Sequence, residues 1–373
     1  MTCNELIKYL EDWAPPDVSM ERDNVGLQVG SGRDKIRNIF LCLELNEKAL
    51  NEATKKNCNF IFTHHPLIYK PLHKIDTQNN PTAKLIEKII KSRIIVYSAH
   101  TNLDFSKGGV SFELANALGL KNLEFLQYRA CNQFKLVAFV PEKHLEKVSV
   151  AVFEAGGGLI GEYKKCSYRL KGEGTFEGSE KTNPAIGTKQ TFETVREIRL
   201  EVLVDSWNLN KVIANILKVH PYEEPAFDIY PLMNKNSNYG EGVIGEFDKI
   251  KSVVQFLHHI SRTLNTSTLR YCKGKVNKIK KVAVCGGSGA ELISSAIKTK
   301  ADAFVTADIK YHAFQDAEGQ ILIIDAGHYE TEILSLNGVK RKIENFLTAN
   351  GETIKVFKYS GSTNPIRFYN YKE

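Results

Sequence analysis

The strongest constraint on the fold is a pattern of strands and helices in the first third of the chain that recurs in the last third. In each third, an apolar strand and a helix precede two further strands that end in polar residues. Each third also has a histidine followed four residues later by a carboxylate, namely His100 with Asp104 and His328 with Glu332, at a common offset of 228 residues. Such alternation is typical of βαβ units on a parallel sheet. We therefore expect an α/β domain built from two pseudo-symmetric halves.

The middle third breaks this pattern. Its predicted elements run in the order β-α-β-β-α-β, which is the ferredoxin-like arrangement. The fold class is thus predicted to be α/β with an inserted ferredoxin-like α+β domain. We assign residues 1–132 and 233–373 to the two halves of the α/β domain and residues 133–232 to the insertion. The polar stretch "NKNSNYGEG" (234–242) is predicted to be a linker between them.

Composition limits the class of protein. A chain of 373 residues, 42% hydrophobic and 25% charged, is typical of a soluble protein with more than one domain. We find no apolar run of about 18 residues and no signal peptide, so we expect a cytoplasmic protein without a membrane partner. The net charge of +7 comes from dispersed lysines, which does not favour nucleic-acid binding. The seven cysteines form no C-x-x-C pair and are predicted to be reduced structural thiols.

Two adjacent histidines end an apolar strand in "CNFIFTHHPLIY". Successive side chains of a strand point to opposite faces. His64 and His65 are therefore expected to contact different ions rather than to hold one ion from the same side. In "HYETE", which is predicted to begin a helix, His328 and Glu332 are spaced i, i+4 and face the same way.

Polar side chains at three predicted strand ends form one candidate set. Its members are His64, His65, His100, Asp104, His328 and Glu332. The carboxyl ends of parallel strands are where ligand sites form in α/β folds. Imidazoles and carboxylates suit zinc, manganese, iron or nickel, and this set is larger than one zinc ion needs. It suits two ions roughly 3.5–4 Å apart, bridged by a carboxylate and a water.

Three neighbouring features also bear on the candidate site, and the first two have alternative interpretations. The turn "VCGGSGAE" (284–291) could bind an anion through its backbone N–H groups, although a tight structural turn is favoured. Asp308 and His312 either line the cleft or cap the next helix. Asp325 could orient a ligating imidazole from behind the ligands.

The motifs "FTHHP", "SAHTNLD", "VAVCGGSG" and "DAGHYETE", in this order, resemble the GTP cyclohydrolase I type 2-like family, also called the NGG-interacting-factor-three-like dinuclear-metal family. In the middle third, "GEGTF", "NPAIG" and "HPYEEPAFDIYPL" resemble the longer bacterial form. That form carries an inserted ferredoxin-like domain akin to the PII and copper-tolerance trimer proteins. The resemblance extends over essentially the whole chain.

This resemblance implies a metal-ligand set and an assembly. The implied ligands are His64, His65, Asp104, His328 and Glu332. The implied assembly is a toroidal homohexamer whose metal sites face an internal cavity. The chain departs from the family pattern at Glu44, where aspartate is expected, and at Ala307, where glycine is expected. Neither position belongs to the implied ligand set.

The function predicted from these features is a metal-dependent hydrolase that acts on a nucleotide-like or other small substrate through a metal-activated water. Two divalent ions are expected per chain, with zinc as the first choice and iron, manganese or nickel as alternatives. Glu332 or Asp104 is expected to bridge the ions, and His100 is the candidate for moving a proton. The alternative function is a metal-carrying, metal-sensing or regulatory protein without turnover. A nucleic-acid clamp is a third hypothesis, which the charge distribution does not favour.

Overall fold

A computed structural model of the chain describes residues 1–130, 132–161 and 163–369. The chain divides into two compact units. Unit 1 comprises Met1–Gln127 and Tyr239–Glu373, and unit 2 comprises Tyr128–Asn238. Every residue of the candidate site lies in unit 1.

The first segment of unit 1 alternates helices and strands. It contains, in chain order, α1 (Cys3–Trp13), β1 (Gly26–Val29), β2 (Asn38–Cys42), α2 (Glu47–Lys55), β3 (Phe60–Thr63), α3 (Pro81–Lys91), β4 (Ile95–Ser98), the single turn α4 (Thr101–Asp104), α5 (Val110–Ala117) and β5 (Lys121–Ala130). Helix α1 begins at a capping box in which Thr2 and Glu5 bond reciprocally.

Unit 2 is an antiparallel sheet with two helices. Its elements are β6 (Gln133–Pro141), α6 (Leu145–Glu154), β7 (Tyr168–Glu177), β8 (Phe192–Asp205), α7 (Ser206–Val219) and β9 (Phe227–Pro231). The strand order is β7-β8-β6-β9, and the paired strands are antiparallel. Alternate residues of β8, such as Leu200 and Val202, pack in the same core cluster as Val148 of α6 and Val212 of α7. Because successive side chains of a strand point to opposite faces, burial of one face gives β8 alternating buried and exposed residues.

The last segment of unit 1 repeats the alternation. It contains β10 (Lys235–Ser252), α8 (Val253–Leu264), β11 (Arg270–Cys272), β12 (Lys278–Ser288), α9 (Ile293–Lys298), β13 (Ala303–Ala307), α10 (Tyr311–Ala317), β14 (Leu322–Asp325), α11 (His328–Glu332), α12 (Ser335–Ala349) and β15 (Lys355–Lys358). Short 3-10 helices lie at Pro16–Val18, Glu142–His144 and Ala290–Leu292. The helix predicted to begin in "HYETE" is the short α11, and a second helix, α12, follows it.

Unit 1 contains two sheets. The first has the order β1-β4-β3-β2-β15, and the second has the order β11-β14-β13-β12-β10-β5. Strands β2, β3 and β4 run parallel with β1 antiparallel at the edge, and β12, β13 and β14 run parallel with β11 antiparallel at the edge. All four residues of β3 and all five of β13 are buried, as expected for central strands of parallel sheets.

The candidate histidines and Asp308 lie just beyond the ends of parallel strands. His64 and His65 directly follow β3, and His100 follows β4. Asp308 directly follows β13, and His328 begins α11 just beyond β14. These are the carboxyl ends of parallel strands, where the sequence predicts them and where ligand sites form in α/β folds.

The linker prediction for residues 234–242 is wrong. Most of that stretch belongs to β10, a strand of 18 residues that pairs with β12. Strand β5, which precedes unit 2, belongs to the same sheet. Hydrogen bonding to neighbouring strands outweighs the local preference of asparagine, serine and glycine for turns. Within the described residues, we find no helix long and apolar enough to cross a lipid bilayer.

Candidate metal centre

Two histidines at the end of β3 are held through their Nδ1 atoms. His64 is fully buried, and its Nδ1 lies 2.8 Å from the carbonyl oxygen of Ala99. The Nδ1 of His65 lies 2.8 Å from Oε1 of Glu44. Because a carbonyl or carboxylate oxygen only accepts, both imidazoles are assigned the Nδ1–H tautomer. Their Nε2 lone pairs therefore remain free to bind a cation.

The histidines beyond β4 and β14 are held in the same way. The Nδ1 of His100 lies 2.9 Å and 3.0 Å from the two carboxylate oxygens of Asp23. The Nδ1 of His328 lies 2.6 Å from Oδ2 of Asp308. A carboxylate or carbonyl behind Nδ1 is the usual support of a metal-ligating imidazole, because it fixes the ring and the tautomer.

The Nε2 atoms of His64, His65 and His328 surround the carboxylate of Glu332. Oε1 of Glu332 lies 3.0 Å from Nε2 of His328 and 3.7 Å from Nε2 of His64. Oε2 lies 3.1 Å from Nε2 of His65. Oδ1 of Asp104 lies 3.6 Å from Nε2 of His64. His65 and His328, which are 263 positions apart in the chain, bring their Nε2 atoms within 3.4 Å of each other.

Two buried atoms of this cluster have no hydrogen-bond partner among the described residues. They are Nε2 of His64 and Oδ1 of Asp104. Leaving a buried polar atom unpaired costs about 1–3 kcal/mol, so native proteins rarely do so without a reason. Imidazole nitrogens and carboxylate oxygens are also the donors that divalent transition metals prefer. The residues present therefore fit divalent cations.

Two overlapping groups of three residues could each hold a metal ion. Within each group, the donor atoms all lie within 4.8 Å of one another. One consists of His64, His65 and His100, and the other of His65, His328 and Glu332. The first group adds His100 to the residues close enough to share an ion. Histidines and carboxylates thus form a continuous cluster rather than a single triad.

Charge and burial oppose each other strongly within the cluster. Burial favours the neutral form of Glu332, but the imidazoles of His64, His328 and His65 hold its pKa well below the usual value. Burial favours neutral His65, yet Glu332 and Glu44 raise its pKa to about 10. A hydrogen bond to Glu332 raises the pKa of His328 to about 9 against the effect of burial. Protons thus occupy this cluster when no cation does, and divalent ions compete with them.

The second carboxylate of the cluster, Asp104, has a raised pKa. Burial raises this pKa, and the neighbouring charge of Glu332 raises it further, although His64 opposes both. A half-buried carboxylate whose Oδ1 is buried without a hydrogen-bond partner is stabilised in its charged form by a cation. Asp104 is therefore the residue of the cluster whose charge most needs a cation.

Comparison with known proteins gives the same family along the whole chain. The model of the Duf34/NIF3 (NGG1p interacting factor 3) family matches residues 1–365. The chain belongs to the Duf34/NIF3 family. A relative from Halalkalibacterium halodurans is 38% identical over 365 residues, covering 97% of this chain and 98% of the relative. A Bacillus subtilis relative is 35% identical over 366 residues, covering 98% of each chain. Both relatives carry the name GTP cyclohydrolase 1 type 2 homolog.

A solved NIF3-related structure has the same fold. The Bacillus cereus protein related to NIF3 superposes with a TM-score of 0.83 at 36% identity, over 99% of both chains. The family resemblance drawn from the strand-end motifs is therefore confirmed. The α/β character of the fold is confirmed as well.

In the turn "VCGGSGAE" of this NIF3 chain, the two central glycines form hydrogen bonds within the protein. The N–H of Gly286 donates to Oγ of Ser111, and that of Gly287 donates to Oγ1 of Thr331. Gly287 has a φ of +67°, and a Cβ there would lie 2.3 Å from Oε1 of Glu332. These two N–H groups are therefore not free for an anion, and the turn lets the backbone pass close to the central carboxylate.

The structure shows which of the nearby acidic residues holds the imidazole of His328. Asp308 supports His328 directly. Asp325 does not, because its carboxylate accepts hydrogen bonds from the N–H groups of Ile309 and Gly327 and pairs with Arg270. The suggestion that Asp325 orients the imidazole is therefore wrong. His312 is exposed and stacks edge-on against Tyr311.

Two functional residues were missed by reasoning from the sequence. Asp23 supports His100, and it also accepts from the N–H and hydroxyl of Thr101. Burial tends to raise the pKa of Asp23, but the hydrogen bonds from His100 and Thr101 hold it well below its usual range. Glu44, noted only as a departure from the family pattern, supports His65. No local pattern marks either residue.

Glu44 is itself held by the C-terminal part of the chain. The hydroxyl of Thr363 donates to Oε2 of Glu44, while Oε1 accepts from His65. Asn364, the next residue, donates to Glu330 of α11 at 2.9 Å. The segment after β15 thus contacts the supports of the cluster.

Thr363→Val is expected to weaken divalent-ion binding at His65 by about 10-fold, since supports of metal-ligating histidines typically contribute 10–100-fold. The change removes the donor to Glu44 and keeps the side-chain shape. Chelator competition measures the affinity. Thr348→Val, the same change at a threonine that bonds only within α12, is the control and should bind as the parent does. Equal affinity of the parent and Thr363→Val would contradict the role of Thr363.

Proposed function

We propose that this NIF3 protein is a metal-dependent hydrolase with two divalent ions per chain, acting on a nucleotide-like or other small substrate. The observation that carries the proposal is the convergence of the Nε2 atoms of His64, His65 and His328 on Glu332, with each ring supported at Nδ1 by an acceptor. A surface histidine pair has no need of such support. Zinc is the first choice of ion, with iron, manganese or nickel as alternatives.

We propose that the ligands divide into two groups around one bridging carboxylate. His65 and His328 serve one ion, and His64 and Asp104 serve the other. Oε1 of Glu332 lies near His328 and His64, one member of each group, and Oε2 lies near His65, which supports Glu332 as the bridge. This division uses the opposite directions of His64 and His65 at the end of β3.

Bound ions of this kind lower the pKa of a coordinated water toward neutrality and stabilise developing negative charge. The chain's own contribution is to exclude bulk water and to move a proton. His100, whose Nδ1–H is held by Asp23, presents Nε2 toward the cluster and accepts the proton there. Asp23, buried and ionised, stabilises the imidazolium that results.

Two cavities adjoin the cluster. One of about 160 Å³ is lined by His100, Asp104, His328 and Glu332 together with Cys285. The other, of about 530 Å³, lies on the side of Glu44 and His65 and is lined by Lys84 and by the ion pair of Lys88 with Glu47. Known small-molecule pockets span roughly 300–1,000 Å³. A substrate with a small reacting group and a larger anionic part, as a nucleotide has, fits this pair of cavities.

We further propose a ferredoxin-like fold for residues 133–232, an internal repeat in the α/β domain and a homohexameric, toroidal assembly in the cytoplasm. The strand order β7-β8-β6-β9 supports the first. The matching strand orders β1-β4-β3-β2 and β11-β14-β13-β12 support the second. The assembly rests on the family resemblance, and sedimentation or light scattering tests it.

Elemental analysis of protein purified without added metal tests the dinuclear proposal. The expected result is close to two ions per chain, and anomalous scattering at several absorption edges then identifies them. A substrate screen with that ion follows. One ion, or none, in folded protein would overturn the dinuclear proposal. Two ions without turnover of any nucleotide-like or small ester substrate would favour the metal-carrying or metal-sensing alternative.

His100→Gln is expected to keep both ions but to lower turnover by at least about 100-fold, the usual contribution of a positioned proton acceptor. Glutamine retains a polar side chain and cannot accept a proton near neutral pH. Metal content and the rate with the substrate found by the screen are measured together. His312→Gln, the same change at an exposed histidine, should alter neither. Loss of metal in His100→Gln would instead make His100 a ligand.

Deleting unit 2 is expected to leave a folded protein that still binds two ions. The deletion joins Gln127 to Asn238 through a short flexible linker. A Cβ on Gly240 would lie 2.6 Å from the carbonyl oxygen of Gln127, so the chain ends to be joined are neighbours in unit 1. Metal content and circular dichroism are the measurements. A protein that neither folds nor binds metal would refute the independence of the α/β domain.

A further inference from the structure

Unit 2 contains a pocket of its own. Its volume is about 280 Å³, and it is lined by residues from the carboxyl end of β7, from the loop before β8 and from the loop between α7 and β9. These segments contain "GEGTF" (172–176), "NPAIG" (183–187) and the start of "HPYEEPAFDIYPL" (220–232). Motifs that are far apart in sequence therefore meet at one place.

The walls of this pocket are largely aromatic and aliphatic. Phe139, Phe176 and Tyr222 line it, with Pro184 and Ile186 from the loop before β8. The rings of Phe176 and Tyr222 are tilted by 56° with their centroids 6.4 Å apart. Such faces carry partial negative charge, which attracts cations.

The polar lining is acidic. Glu177, Glu197, Glu223 and Glu224 contribute to it, and within the described part of unit 2 no lysine, arginine or histidine does. Glu223 accepts a hydrogen bond from the N–H of Asn183 at 2.9 Å. The other carboxylates form no ion pair with a basic side chain of the described chain.

Three basic side chains along β7 and β8 form ion pairs outside the pocket. These pairs are Arg169 with Glu146, Lys171 with Glu142 and Arg199 with Glu201. Arg196 lies on the other side of Glu197, where both line a separate pocket, and it forms no ion pair with Glu197 among the described residues. The carboxylates therefore give the pocket a negative potential that attracts a cationic ligand.

Glu197 and Tyr222 form the inner polar part of the pocket. A Cβ on Gly174 would lie 2.3 Å from Oε2 of Glu197, so the carboxylate lies directly over the glycine of "GEGTF". The hydroxyl oxygen of Tyr222 is buried and has no hydrogen-bond partner among the described residues. Burial and the neighbouring Glu197 raise the pKa of Tyr222, so the hydroxyl stays neutral. It can accept a hydrogen bond from a ligand N–H.

We propose that this pocket binds a small organic cation with a flat or short apolar body and an N–H-rich head, such as an amine, amidine or guanidine. The head pairs with Glu197 and donates to the Tyr222 hydroxyl. The body lies against Phe176 and Tyr222, where cation–π attraction adds to apolar burial. Anions are excluded by the surrounding carboxylates. This site is separate from the metal centre and does not depend on the proposed hydrolysis.

Three probes that have nearly the same shape but different charges test the proposal on the full chain. The probes are benzamidine, benzamide and benzoate, and their binding is measured by calorimetry and ligand-observed NMR. We expect one benzamidine per chain, bound at least about 10-fold more tightly than either of the other two. No binding of benzamidine up to about 10 mM would overturn the proposal. Equal binding of benzamidine and benzamide would overturn it as well.

Substitutions in the pocket test whether benzamidine binds there. Glu197→Gln should weaken benzamidine by at least about 10-fold, and so should Phe176→Ala, which leaves the charges intact. Glu173→Gln, the same charge change next to Gly174 on an exposed side chain, should bind as the parent does. Binding of benzamidine by Glu197→Gln at the parent's affinity would refute the site.

A further variant separates this site from the metal centre. Glu332→Gln, which alters only unit 1, should retain benzamidine binding, whether or not the hydrolase proposal holds. Loss of benzamidine binding in Glu332→Gln would assign the cation to the metal centre and overturn the proposal. Uptake of Mn²⁺ by unit 2 of this variant, with displacement of benzamidine, would instead assign the carboxylates to a metal and overturn it too.

Discussion

Glu332→Gln is expected to remove both divalent ions, whereas Glu330→Gln, two residues away, retains both. The reason is the position of Glu332 at the centre of the cluster. Its side chain is only 4% exposed, and its two oxygens face His328 and His64 on one side and His65 on the other. Glutamine has nearly the same shape, but it has no charge and only one acceptor oxygen.

The size of the effect follows from the charges. Two unit charges 4 Å apart interact by about 4 kcal/mol at an effective dielectric of 20. Removing the anion that attracts both ions should therefore cost each site roughly 1,000-fold in affinity or more. Loss of the bridge also leaves the two ions repelling each other. Both sites are expected to empty during ordinary purification.

Glu330 provides a matched control on the same short helix. Its Oε1 accepts a hydrogen bond from Asn364 at 2.9 Å, away from the histidines. Glu330→Gln keeps an acceptor oxygen there. His65→Ala serves as the third variant and should lose at least the ion shared with His328. Metal content per chain and circular dichroism are measured for all three. Equal metal loss for the two glutamine variants, or none for His65→Ala, would show that the ligands are misassigned.

The histidines of this cluster were readable from sequence because their positions are set locally. A buried strand that ends in "HHP", and a helix that begins with "HYETE" after another strand, are signals contained in a few residues. Strand direction and helical spacing then fix which way the side chains point. Parallel pairing brings the strand ends to one edge of each sheet.

The supports of these histidines could not be read in the same way. Asp23 is 77 positions from His100, Glu44 is 21 positions from His65, and Asp308 is 20 positions from His328. Each lies in a loop whose path depends on packing elsewhere in unit 1. Asp325 was the nearer candidate for His328 in sequence, but its carboxylate bonds to backbone N–H groups and to Arg270. Proximity along the chain is a poor guide where tertiary contacts decide.

The strand β10 shows the opposite failure, in which local composition was misleading. Residues 234–242 are polar and rich in asparagine and glycine, which is typical of loops. Yet Asn236 and Gly240 are buried within the strand, and a Cβ on Gly240 would lie 2.5 Å from the ring of Phe125. Glycine is required there by the close approach of the neighbouring strand. Hydrogen bonding within the sheet, which composition does not reveal, sets the secondary structure.

Removing the metal is expected to lower the thermal stability of unit 1 and to leave unit 2 unchanged. An ion that binds only the folded protein stabilises it by about 2.7 kcal/mol when present at 100 times its dissociation constant. Two such ions contribute about 5 kcal/mol. For a unit of this size each kcal/mol shifts the midpoint by roughly 2–4 °C, so stripping both ions should lower it by about 10–20 °C.

Unit 2 serves as the internal reference for this experiment, because the candidate ligands lie only in unit 1. Hydrogen exchange before and after chelation separates the two. Protection should fall in β3, β14 and α11, which carry or adjoin His64, His65 and Glu332, and should persist in β6 and β8. Returning the ion should restore the protection, but it should not do so in Glu332→Gln. If chelation removes the ions and exchange in β3 and α11 does not change, the buried unpaired atoms of His64 and Asp104 are satisfied by something other than a metal. A uniform loss of protection in both units would mean that the chelator acts on the whole chain rather than through this cluster.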